Sequence, residues 1–367
     1  MKRILLLTRP ICPPWDEGSK NFAYTLAKNA GDFEIHLLTC GKVANLPKNV
    51  IQHEIYSSPK LDFGQKFRLL KFLKKANDFD IIHSLFTPTK INSFFLRLNL
   101  KKGIKTIQTV ATLREDLYSA EDFRKILFGD QIVTYSDYAK EKLEKMGFNR
   151  IKRIYPGIDV NLYSPAPKNQ QLMKKFATSE KDFVINYTGE YVRLGDMDDI
   201  IESFSGLAKR YQNFKLHLAV RVKNQKDAEK KREIIDKLKK EDVLGRVAFI
   251  DDGSYTMEEI YNLSDISIFP ARTMAGKFDI PLAVIEAMAC GKPVIASSLE
   301  RLKYFLNNEN SILIPPGNRE VLKQKILYLR DNPEVRNDLA RRGIDFVRDN
   351  FDITKIVKEY EEVYENL

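Results

Sequence analysis

The chain has 367 residues, of which 43% are hydrophobic and 30% charged, with a formal charge of +10 and an isoelectric point near 9.2. That length suits two domains, each with its own core, and no apolar run approaches the roughly 20 residues needed to cross a bilayer. The cationic surplus favours anionic partners; no nucleic-acid-binding motif accompanies it, which leaves diphosphate substrates and anionic membrane surfaces as its expected uses.

The chain opens on MKRILLLTRP, whose apolar run is too short for a signal peptide and reads as a buried strand over residues 4–8. Further strands are expected at 34–39, 81–85, 106–110 and 131–135, with helices at 19–28, 64–77, 91–98 and 139–146 between them. Strands alternating with helices predict a parallel sheet covered by helices. Residues 155–170, with three prolines, a glycine and no periodicity, read as a linker. The alternation then restarts, with strands at 183–188, 215–220, 247–250, 266–269, 294–296 and 311–314. Helices are expected at 197–210, 227–240, 257–263, 281–289, 319–331, 333–345 and 353–366. The expected organisation is therefore an α/β unit over 1–160, a second over 161–350, and a terminal helix over 351–367. In that helix Ile353, Ile356, Val357, Tyr360, Val363 and Tyr364 share one face. The face fits packing on its own domain as well as a return to the first.

Cys12, Cys40 and Cys290 are widely spaced, with no C-x-x-C pattern, and fit reduced thiols in a cytoplasmic protein. The chain lacks G-x-G-x-x-G, the P-loop, H-E-x-x-H and G-x-S-x-G, and its four histidines do not cluster. The triplets Asp78-Phe79-Asp80 and Asp196-Met197-Asp198 could hold a metal, but the second opens a helix, where acidic residues suit the dipole. No metal and no cofactor are expected. The richest stretch is GKFDIPLAVIEAMACGKPVIAS, residues 276–297. A helix opening near Pro281 would present the amides of Leu282 and Ala283, behind Ile280, to a phosphate. Glu286 lies one turn further along a largely apolar helix, where a carboxylate needs a partner such as a ribose hydroxyl.

These residues resemble glycosyltransferase family 4, enzymes of the GT-B fold, in which two Rossmann-like doubly wound α/β domains face a cleft. The run Ile285-Glu286-Ala287-Met288-Ala289-Cys290-Gly291-Lys292-Pro293 is similar to the family's donor-site signature. Residues 133–146 with Ser136, Tyr155-Pro156-Gly157-Ile158-Asp159, and residues 13–27 with Gly18-Ser19 resemble further family segments. The resemblance implies retaining transfer of a sugar from a nucleotide-sugar donor, without an essential metal, to a glycan or lipid-linked acceptor. It places the donor on the second domain, with Glu286 on its ribose, and the acceptor on the first, with Gly18, Ser19 and Ser136 near the substrates.

The sequence departs from the family where the diphosphate would bind. Gly189 is followed by Glu190 rather than an arginine, and Gly195 is preceded by Leu194 rather than a lysine. The cations expected to replace them are Arg193, Arg221, Lys223 and Lys277. Phe278 stands where the family has a second glutamate, and the neighbouring Asp279 is the expected substitute, acting with Glu286 in catalysis. The family's acceptor-side histidine is absent after Thr109-Val110, where Ala111-Thr112 follow. A silent nucleotide-sugar-binding relative and a sugar-nucleotide epimerase of the same fold are the alternatives.

In the basic segment 66–75, Leu69, Leu70, Phe72 and Leu73 share one helical side, and Arg68, Lys71, Lys74 and Lys75 the other. Phe94, Phe95, Arg97, Lys101 and Lys102 follow. This pattern suits peripheral docking on the inner membrane face and suits an ordinary helix with its apolar side in the core equally well.

Overall fold

The structure is a computed structural model describing every residue except Pro14, Asp16, Glu17, Ala76, Asn77, Phe86, Thr87 and residues 252–254. It divides into two compact units: one of Met1–Gly157, Phe278–Ile280 and Asp352–Leu367, and one of Ile158–Lys277 and Pro281–Phe351.

The first unit holds seven parallel strands: β1 (Arg3–Ile11), β2 (Glu34–Thr39), β3 (Val50–His53), β4 (Ile81–Ser84), β5 (Lys105–Val110), β6 (Gln131–Thr134) and β7 (Ile151–Arg153). Their order is β3-β2-β1-β4-β5-β6-β7. The second holds β8 (Phe183–Thr188), β9 (Phe214–Ala219), β10 (Val247–Phe249), β11 (Ile266–Phe269), β12 (Val294–Ser297) and β13 (Ile312–Ile314), in the order β10-β9-β8-β11-β12-β13. Both sheets are doubly wound, reversing direction between β1 and β4 and between β8 and β11. Ligands of such sheets gather at the carboxyl ends of the strands beside the reversal. In the second unit those positions are the loops leaving β8 and β11.

Helices on both faces explain the apolar strands. Ile4 to Leu7 of β1 have no exposed surface, because a parallel sheet is covered on both sides. The expected strands omit β3 and β7, and these are the two edge strands of the first sheet. An edge strand needs less apolar burial, and VIQH and IKR show no helical or alternating pattern. The expected helices omit Ala120–Ile126 and Gln170–Lys175. Ser119 and Asp122 form a capping box on the first, and Asn169 caps the second within the stretch read as linker. The helix expected at 64–77 is observed at Phe63–Lys75, and its expected end at Asn77 lies outside the described residues.

The helix Ile353–Glu365 belongs to the first unit. Its Tyr364 hydroxyl lies 2.8 Å from Nδ1 of His83, and Thr109 Oγ1 lies 2.7 Å from the other ring nitrogen. Burial pushes His83 down to about 3, so the imidazole is neutral at physiological pH. Distance in sequence hid a second pairing. Cys12 and Cys40 follow the neighbouring strands β1 and β2, and their sulfurs stand 2.9 Å apart as free thiols.

Candidate functional site

In the second unit the chain leaves β8 through Gly189 and Glu190. The glycine is required by a close approach, since a Cβ there would overlap the phenol ring of Tyr187. That phenol accepts from the Glu190 amide at 3.2 Å and donates to Asp196 at 2.9 Å. Burial pushes the Asp196 carboxyl up to about 7, with the Tyr187 hydrogen bond working against it. Asp198, the other acid of this triplet, pairs instead with Lys230 at 2.9 Å. The two carboxylates thus serve separate partners, and no group of metal-binding side chains occurs among the described residues.

Glu190, which stands where the family has an arginine, is the centre of a cluster of cations. Its carboxylate is nearly buried, and three of the four expected cations converge on it. Arg193 Nε lies at 2.8 Å, Lys277 Nζ at 3.3 Å and Lys223 Nζ at 3.5 Å. Burial alone would raise Glu190; Lys277, Lys223 and Arg193 together outweigh it and hold the carboxyl below the usual range. Burial lowers Lys277, and Glu190 partly restores it. Arg193 also donates to the Gly276 carbonyl at 3.1 Å, tying the loop after β8 to the loop after β11. Arg221 is exposed. Three cations around one carboxylate leave a net charge of two, which matches the two negative charges of a diphosphate diester.

The signature helix runs Leu282–Ala289, with Pro281 as its N-cap rather than in its first turn. Proline offers no side-chain acceptor, so no side chain caps the partly exposed Leu282 and Ala283 amides. Ile280 and Pro281 are both buried. One turn on, partly exposed Glu286 accepts from the Tyr261 hydroxyl at 3.0 Å, and Tyr163 is hydrogen-bonded to it as well. Desolvation pushes Glu286 up to about 7, while the two tyrosines pull it back. Nothing in the sequence singled out Tyr163, in the linker, or Tyr261, on an ordinary core helix. A carboxyl on an apolar helix does call for donors, and that was the available signal.

In the first unit Gly18 and Ser19 open the helix Gly18–Asn29 after β1, both partly exposed. Ser136 is buried as N-cap of Asp137–Lys145, accepting from the Ala139 amide at 3.1 Å. It donates to Asp279 Oδ2, also at 3.1 Å. Asp279 has no exposed surface, and its amide donates to the Ala111 carbonyl at 3.0 Å. Asp279, the expected partner of Glu286 in catalysis, is thus fully buried in the first unit with its Oδ2 held by Ser136. Ser136 likewise has both bonding directions engaged within the protein.

Residues 17–162 match the model described as Glycosyltransferase Family 4, and residues 168–346 match that of Glycosyl transferases group 1. An uncharacterized glycosyltransferase of Methanocaldococcus jannaschii is 27% identical over 96% of each chain. N-acetyl-alpha-D-glucosaminyl L-malate synthase of Bacillus anthracis is 22% identical over 96% of this chain and 95% of its own. The crystal structure of Anabaena HepE in complex with UDP-glucose matches with a TM-score of 0.79 at 17% identity, covering 100% of both chains. That likeness is one of fold, and the fold is GT-B.

Proposed function

Because the chain belongs to the family 4 glycosyltransferases, we propose that it moves a sugar from a nucleotide-sugar donor to a glycan or lipid-linked acceptor with retention at the anomeric carbon. The observation that supports this most is the Glu286 carboxyl, held by two tyrosines one turn inside a helix whose first amides have no side-chain cap. In this reading Glu286 accepts hydrogen bonds from the donor ribose. The Leu282 and Ala283 amides, aided by the helix dipole, receive a phosphate. Lys277, Lys223 and Arg193 neutralise the diphosphate as it leaves, and fixed cations in a partly desolvated site lower the barrier by stabilising that developing charge. Glu190 holds the three in place before the donor arrives. No metal or cofactor enters the reading.

Anabaena HepE binds UDP-glucose, so UDP-glucose heads the donor panel. The test is chromatographic detection of nucleoside diphosphate released from UDP-, GDP-, ADP- and CMP-sugars, with wild type and Glu286→Ala. Release from one donor, lost in the variant while the melting temperature holds, supports the transferase. Full turnover by Glu286→Ala would sink the site assignment. Donor binding without turnover points to a silent relative, and a new sugar nucleotide formed without acceptor points to an epimerase.

A further inference from the structure

The helix Lys90–Asn99 presents its apolar stripe outward. Ile91, Phe94, Phe95 and Leu98 are spaced one and two turns apart, as a core-facing stripe is. Yet they are 68%, 59%, 45% and 66% exposed. The face turned inward carries Ser93, whose hydroxyl donates to the Ile126 carbonyl at 2.8 Å, and Leu96. The neighbouring helix Phe63–Lys75, in contact with it, adds Phe63 and Phe67 one turn apart, 88% and 66% exposed. Leu69, Phe72 and Leu73 of the same helix pack into the core, so the outward aromatics are not the apolar side that a helical wheel of 66–75 picks out. Exposed apolar patches of this kind mark interaction surfaces.

Charge selects the partner. Neither helix contains an aspartate or glutamate. The first carries five cations, the second carries Lys90 and Arg97, and Lys101 and Lys102 follow it. Of these, Lys90 pairs with Asp122 at 2.7 Å. A second copy laid symmetrically on this face would bring cations mostly against cations. An anionic bilayer meets both requirements: aromatic and aliphatic side chains enter the boundary between headgroups and acyl chains, and the lysines and arginines stay among the headgroups.

We propose that the face formed by Phe63, Phe67, Ile91, Phe94 and Leu98, with its rim of lysines and arginines, docks the protein on an anionic lipid bilayer. This rests on the first unit alone and does not depend on the donor site. The test is co-sedimentation of the full chain with vesicles of three parts phosphatidylcholine to one part phosphatidylglycerol, and with pure phosphatidylcholine. Binding is expected only to the anionic vesicles and should weaken as salt rises. Phe67→Ser with Phe94→Ser removes apolar groups that are already largely exposed, so the fold is spared, and should lower partitioning about tenfold or more per residue. Lys71→Gln with Lys74→Gln should lower it about fivefold per residue. Equal partitioning of wild type and both double variants would overturn the proposal. So would a failure of wild type to sediment, whether the chain then proves dimeric, with the dimer lost in Phe67→Ser/Phe94→Ser, or is retained by an acidic protein.

Discussion

Lys277→Ala isolates the phosphate role of the cation cluster. The ammonium lies 3.3 Å from Glu190 and is largely buried. Removing it does not strand Glu190, because Arg193 at 2.8 Å and Lys223 at 3.5 Å remain. The stability cost is therefore that of one lost hydrogen bond, about 1 kcal/mol, rather than that of an unpaired buried charge. For a bound diphosphate the loss is one charge-assisted hydrogen bond, about 1.5–3 kcal/mol. That amounts to a roughly 10- to 150-fold weaker Kd for the nucleoside diphosphate. The nucleoside lacks the phosphates and should bind wild type and variant within about twofold. Titration calorimetry with the diphosphate and nucleoside of the preferred base measures both, and thermal unfolding monitors the fold. Lys277→Arg should recover part of the loss. Equal weakening of both ligands, or no weakening of either, would rule out a phosphate role for Lys277.

Three more predictions concern protonation and packing. Glu286 is raised from 4.5 to about 7 in the folded protein, so it favours the folded state in its protonated form. Its contribution to stability is full below about 4.5 and is lost as pH rises through 7. Donor affinity runs the other way, because the ionised carboxyl is the stronger acceptor for ribose hydroxyls. Affinity should rise with pH across 7, a rise that Glu286→Gln flattens and Asp196→Asn, at the other carboxyl near 7, leaves in place. Gly189→Ala drives a methyl into the Tyr187 ring and should cost about 1–3 kcal/mol in urea unfolding; an unchanged midpoint would remove the packing argument. Tyr364→Phe takes the hydroxyl from buried His83 and should cost about 1–2 kcal/mol by the same measurement, with no loss of donor binding in the second unit.

The architecture was legible because parallel strands buried on both faces are written as short apolar runs. Residues 34–39, 183–188 and 266–269 were placed to the residue. Edge strands β3 and β7 were not, since half-polar four- and three-residue segments carry no period. The site was legible where chemistry is local. Glu286 stood out as a carboxyl on an apolar helix, and three of the four expected cations do meet in one cluster. Their convergence on Glu190 was not readable, because Lys277, Lys223 and Arg193 come from three separate loops. Tyr163 and Tyr261, more than 90 residues apart in the chain, meet at Glu286 only through the fold. The position of Asp279 in the motif likewise said nothing of Ser136, which holds its Oδ2 from 143 residues away.

Binding of a nucleotide-sugar by the second unit, through Glu286 and the cluster around Glu190, can be measured outright. Calorimetric titration of wild type and Glu286→Ala with UDP-glucose and the other nucleotide-sugars tests it most directly. Wild type should bind one donor class saturably, and the variant at least tenfold more weakly, with an unfolding midpoint close to that of wild type. Folded wild-type protein that binds none of the donors, or a Glu286→Ala variant that binds the preferred donor undiminished, would contradict it.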